Sequence, residues 1–160
     1  MADGGASELI MLISGLLVAG IVTTLLIASW GGLANSVETA QTQVEANSKT
    51  SAALASDPMQ ISWNQSACNL TIHIQNTGSL ELEIDNIGVI VNGTASTVTQ
   101  AQLLGNSTIW MTGEVAELNI CPPSITMTPN QEITVTVIVQ SEYYQGISGQ
   151  HTFSEVVRLV

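Results

Sequence analysis

The chain is poor in cations. Among its 160 residues only Lys49 and Arg158 are basic, against 13 acidic residues, for a net charge of −11. Nucleic acid is excluded as a partner, because no cationic patch exists to release phosphate counterions. So acidic a surface suits a cation-rich exterior or a basic partner, and it also keeps a domain soluble. Cysteine is scarce as well. Cys68 and Cys121 are the only two, and with no second pair there is no thiolate metal site. Neither His73 nor His151 has a Cys, His or carboxylate at a ligand spacing. No G-x-S-x-G, Walker or dinucleotide fingerprint occurs. Neither catalysis nor a cofactor is expected.

Charge is missing altogether from residues 9–37. Within that stretch residues 9–30 are almost all Leu, Ile, Val, Ala, Met, Gly and Thr. About 22 such residues reach roughly 33 Å as a helix, enough to cross a bilayer core. The residues before them contain no Lys or Arg and carry Asp3 and Glu8. A cleavable secretory signal needs a basic start and a short apolar core, so the expectation is an uncleaved anchor. Without flanking basic residues the positive-inside rule gives no orientation. Glu8 suits the positive end of the helix, where unpaired N–H groups attract a carboxylate. Alternatively it pairs with a neighbouring subunit in a filament.

Beyond the span the helical period continues. Leu33, Val37, Ala40 and Val44 recur at spacings of 4, 3 and 4, the stripe of an amphipathic helix or a short coiled-coil seam. Gly31 and Gly32 loosen the helix at the membrane boundary, while Gln41, Gln43, Glu45 and Lys49 lie off the stripe. The stripe packs either on its own domain or on partner helices. The helix is expected to stop before Pro58, because a residue preceding proline is biased out of the helical region. Three segments result: a polar start over 1–8, a transmembrane helix with its amphipathic extension over 9–56, and an extracytoplasmic domain over 57–160.

From Gln60 onward the period shortens to 2. Cys68, Leu70, Ile72 and Ile74 share one face of a strand, with Asn69, Thr71, His73 and Gln75 on the other. Asn76-Thr77-Gly78-Ser79 reads as a turn. Leu80, Leu82 and Ile84 then alternate with Glu81, Glu83 and Asp85, an acidic ladder that is either a solvated face or a weak calcium contact. Residues 87–91 form a strand closed by Asn92-Gly93, a strong tight-turn pair. Residues 94–99, 108–111, 115–120, 133–139 and 152–160 follow as further strands. Seven or eight short strands indicate an all-β sandwich, immunoglobulin-like in plan. Trp63, Trp110, Tyr143 and Tyr144 either anchor an interface or fill core and edge.

Four N-x-S/T sequons begin at Asn64, Asn69, Asn92 and Asn106, all beyond the span, as expected of an external domain open to N-glycosylation. Disulfides persist outside the cell. A Cys68–Cys121 bridge would close a loop of about 53 residues, worth roughly 4 kcal/mol, and two buried thiols are the alternative. The disulfide, sequons and acidic bulk together favour the C-terminal domain outside.

The apolar helix with M-L-I-S-G-L-L-V-A-G (residues 11–20), followed by T-I-H-I-Q-N-T-G-S (71–79) and G-V-I-V-N-G-T (88–94), resembles the stator-type accessory proteins of the archaeal rotary filament, the FlaG/FlaF family of the archaellum. The resemblance covers essentially the whole chain. It implies a non-enzymatic protein anchored in the cytoplasmic membrane of an archaeon, its sandwich in the pseudo-periplasm. The implied partners are copies of itself, other archaellum envelope proteins and the surface layer. Archaellins and type IV pilin-like subunits share this plan, but have a basic residue before a glycine for the processing peptidase. Here Asp3 precedes Gly4. A filament subunit assembling through its N-terminal helix is the alternative, and a membrane-bound enzyme or solute-binding module the third reading.

Overall fold

The computed structural model describes residues 4–105, 107–122, 127–128 and 130–160. A single helix, α1 (Gly4–Lys49), precedes β1 (Ala52–Leu54), β2 (Ser62–Asn64), β3 (Asn69–Asn76), β4 (Gly88–Val91), β5 (Thr94–Leu103), β6 (Val115–Cys121), β7 (Glu132–Tyr144) and β8 (Ile147–Arg158). An apolar helix followed by an all-β sandwich is thus the observed fold. Internal contacts divide the chain after Gln41, and the two units are described separately.

The first unit is helical. Its apolar side chains are exposed on every side of the helix, Leu16 at 73% and Trp30 at 70% among them, so it is long and apolar enough to cross a membrane. Its hydroxyls bond inward. Ser14 Oγ donates to the Ile10 carbonyl (2.8 Å), Thr23 to Ala19 (2.7 Å) and Thr24 to Gly20 (2.8 Å). These three hydroxyls are thereby satisfied within the helix, as a hydrocarbon surrounding demands.

The second unit holds the last turns of α1 and the sandwich. β5 is shared by both sheets. Its first three residues pair with β4, and residues 97–103 pair with β6 across an irregularity between Val98 and Gln100. One layer runs β5–β6–β3, with β1 and β2 side by side along the far edge of β3, and the other runs β5–β4–β7–β8. The layers meet again where Ile61 pairs with Leu159, through Ile61 N–H to the Arg158 carbonyl and Val160 N–H to the Ile61 carbonyl, both 2.9 Å. The sandwich thus closes toward a barrel, which removes much of the exposed edge.

The core follows from period-2 burial. Leu70, Ile72 and Ile74 of β3 face Ala116, Leu118 and Ile120 of β6, and Ile133, Val135, Val137 and Val139 of β7 enter from the other layer. Each Leu, Ile or Val among them contributes about 1.5–3 kcal/mol of burial. Trp110 is buried and donates its indole N–H to the Glu114 carbonyl at 3.0 Å.

Several expectations need correction. The helix stops before Pro58, as expected, but already at Lys49 and so short of residue 56, because the chain after it is captured by β3, with Ala52 opposite Asn76 and Leu54 opposite Ile74. Pro58 lies instead in the connection between β1 and β2. Residues 80–84 and 108–111 do not form strands; Leu82 makes only single bridges, to Trp110 and Ser141. β1 and β2 are two strands the period did not announce.

Cys68 and Cys121 are joined by a disulfide, with Cα atoms 5.1 Å apart, tying the approach to β3 to the end of β6. With a sequence separation of 53, a Cys68→Ser/Cys121→Ser chain should lose about 4 kcal/mol of unfolding free energy. Urea denaturation of the full chain in detergent measures this. A loss under about 1 kcal/mol would mean that the sandwich already restrains both ends without the bond.

Candidate functional site

A helix ends with carbonyls that lack partners. In α1 the sandwich supplies them. The Lys49 carbonyl accepts from Ser79 N–H (2.8 Å) and Leu80 N–H (3.3 Å), and the Ser51 carbonyl accepts from Thr77 N–H (3.0 Å) and Gly78 N–H (2.9 Å). The N-T-G-S turn is therefore a socket for the end of the helix. Its shape is held by Asn76, which is wholly buried. The Asn76 amide donates to the Leu80 and Trp110 carbonyls, both at 2.9 Å, and its oxygen accepts from Gly78 N–H at 2.9 Å.

Two glycines let backbone approach backbone here. A Cβ on Gly78 would stand 2.4 Å from the Lys49 carbonyl oxygen and 2.6 Å from Ser51 N. A Cβ on Gly149, within β8, would stand 2.2 Å from Thr50 Oγ1 and 2.4 Å from the Ala46 oxygen. Ala46 and Thr50 are accordingly buried on this seat. Polar contacts flank them. Gln43 donates to the Ser148 carbonyl (3.0 Å), and Asn47 Oδ1 accepts from Gln150 N–H (2.9 Å).

An electrostatic latch completes the seat. Lys49 Nζ donates to Glu45 Oε1 (2.7 Å) and to the Tyr144 hydroxyl (2.9 Å), which donates in turn to Glu45 (2.9 Å). The ammonium also lies 4.4 Å from the Tyr144 ring centre. Lys49 first and Tyr144 second, by hydrogen bonding to the Glu45 carboxylate, hold it below the usual carboxylate range. Glu45 first, and then Tyr144, hold the Lys49 ammonium above its usual range, against a smaller opposing effect of burial.

The residues singled out in the sequence divide unevenly around this seat. The stripe is exposed: Val44 at 69%, and Leu33, Val37 and Ala40 as well. Polar Gln43 and Lys49, placed off the stripe, make the contacts instead, because the sandwich offers backbone and hydroxyl groups at this point. Glu8 is exposed on α1. Among the sequons, Asn64 is exposed with Oδ1 accepting from Ala67 N–H (3.1 Å). Asn92 is exposed at a positive φ of 47° and accepts from Thr134 N–H (2.9 Å). Asn69 is half-buried at the start of β3. Asn106 lies outside the described residues. Gly149 and Asn47 were not singled out in the sequence. An isolated glycine inside a strand signals close backbone approach, and Gly149 was the available clue.

Elsewhere, His73 Nδ1 lies 3.1 Å from Ser56 Oγ and its Nε2 lies 3.5 Å from Glu117. Ser56 Oγ already accepts the His73 N–H at 2.8 Å, so this row is a tie between β3, β6 and the exit of β1. Glu81, Glu83 and Asp85 line the rim of a cleft of about 460 Å³ and do not form a strand face. Among the described residues no three His, Cys, Asp or Glu side chains are grouped to hold a metal.

A family model described as archaeal-type flagellin matches residues 2–150. No curated protein matches the chain.

Two measurements test the seat. Gly149→Ala should cost about 1–3 kcal/mol through overpacking. Gly88→Ala, whose Cβ would meet nothing nearer than 3.5 Å, should change little. Equal effects in urea unfolding would reject a tight seat. The latch should also set a pH window. The Glu45 contribution is complete above the ordinary glutamate pKa and is lost as pH falls through its depressed value. The Lys49 contribution is complete below the ordinary lysine pKa and is lost as pH rises through its raised value. Stability of the wild type relative to Tyr144→Phe should therefore be flat at neutral pH and converge at both extremes.

Proposed function

The chain belongs to the archaeal-type flagellin family, a membership that makes it a structural component of the archaellum with a membrane-anchoring N-terminal helix, and on that premise we propose that it is a non-enzymatic, membrane-anchored stator of the FlaG/FlaF kind. In this reading residues 9–30 lie in the cytoplasmic membrane and the sandwich stands outside it. Copies associate, and the sandwich ties the motor to other envelope proteins and the surface layer. The observation that carries it lies just ahead of the apolar helix. The basic residue that marks filament subunits for processing is replaced by Asp3 ahead of Gly4 and Gly5. An unprocessed span stays in the membrane, since withdrawing its apolar surface costs about 25 cal/mol per Å². The seat suits such a part, since backbone bonds join the end of the helix to the sandwich.

A second reading is favoured by the match itself. Residues 2–150 fit a flagellin model, and Leu33, Val37, Ala40 and Val44 are left exposed, as a filament core of packed helices would require. A shearing fractionation of cells that carry the protein, with mass spectrometry of the N-terminal peptide in each fraction, separates the two. A start at Met1 or Ala2 with the chain retained in the envelope is the expected result. A start within residues 4–7 with the chain in sheared filaments would make it a filament subunit and end the stator reading.

A further inference from the structure

We infer that the sandwich carries a docking cleft for a basic segment of a different protein. The cleft lies where the regular sheet fails. Leu82 bridges to both Trp110 and Ser141, so residues 81–86 arch over the end of β7 without pairing along their length. The arch leaves a cleft of about 460 Å³ between itself, residues 108–110 and Glu142. A second hollow of about 300 Å³ shares Glu81 and Glu142 and extends the groove to Tyr143.

The groove is apolar at its base and anionic at its rim. Leu82 and Trp110 lie buried beneath it, while Ile109 is 46% exposed and Tyr143 74% exposed on its walls. Glu81, Glu83, Asp85 and Glu142 supply the rim. Glu83 accepts from the Asn86 amide. Among the described residues no cation stands against the rim, because Lys49 is bound to Glu45 and Arg158 to Glu132. An aliphatic stem ending in a positive charge matches such a surface, its stem on the apolar base and its head among the carboxylates.

The occupant is not a second copy of this chain. Each copy has two basic residues, and both are committed within their own fold. Two copies would also meet at −11 against −11, a repulsion that disfavours this face as a homotypic contact. The groove therefore selects a heterologous partner, one presenting Lys or Arg beside apolar residues. This conclusion is independent of whether the chain is an anchor or a filament subunit.

The test uses the full chain in lipid nanodiscs and a labelled peptide of alternating lysine and leucine, followed by fluorescence anisotropy. Glu81→Gln combined with Glu142→Gln should weaken binding roughly tenfold, and Ile109→Ser several-fold. Glu155→Gln, an exposed acid on β8, should change it by about twofold or less. Gln keeps the size of Glu, and unchanged circular dichroism certifies the fold of each variant. Equal losses at Glu155 and at the groove would overturn the proposal, since binding would then be diffuse charge attraction. So would calcium binding that depends on Glu81 and Glu142 while the peptide does not, which would make the rim a cation site.

Discussion

The unsatisfied carbonyls at the end of α1 are the constraint on which the second unit is built. A helix cannot end inside a folded domain without partners for its last C=O groups. Here the Lys49 carbonyl finds them in the N–H groups of Ser79 and Leu80, and the Ser51 carbonyl, just beyond the helix, accepts from Thr77 and Gly78. That choice fixes where the chain leaves the helix, and hence that Ala52–Leu54 runs along β3 as an added strand. It also dictates glycine at 78 and 149, where a Cβ would stand under 3 Å from helix backbone. Asn76, buried and fully bonded, makes the socket a specific shape. A buried polar group is tolerable only when all its bonds are made.

Charge is distributed with the same economy. The two cations sit at opposite ends of the chain's folded part in sequence, and each closes one contact, Lys49 at the helix end and Arg158 between β8 and β7. Exposed pairs contribute little stability by themselves. Their consequence is different: both of the chain's Lys and Arg side chains are engaged within their own fold, so the charge left to partners is negative.

Much of the sandwich was legible in the sequence. β3 reads correctly because one face is wholly buried, so that Leu70, Ile72 and Ile74 alternate with polar residues without interruption. Asn92-Gly93 marks its turn because both residues take positive φ, 47° and 79°, which Asn and Gly do at least cost. The β7–β8 turn uses Gln145 and Gly146, also at positive φ, and was less readable because Gln carries no such preference. Residues 80–84 alternate as well as any strand, yet hold only single bridges. Alternation reports two faces, one buried and one wet, and the rim of a cleft has two such faces without a ladder.

Composition and period by themselves determined that an uncharged helix long enough for a bilayer precedes a β-sheet domain, since hydropathy and side-chain alternation are local properties of consecutive residues. They also placed the two cysteines where a bond between them was plausible chemistry. Only the tertiary structure decided where the helix stops, which face of it is held, and that β5 belongs to both layers. Those outcomes depend on backbone groups far apart in sequence, Lys49 with Ser79 and Ala46 with Gly149. A backbone N–H or C=O is the same in nearly every residue, so no residue type announces which distant one it will meet.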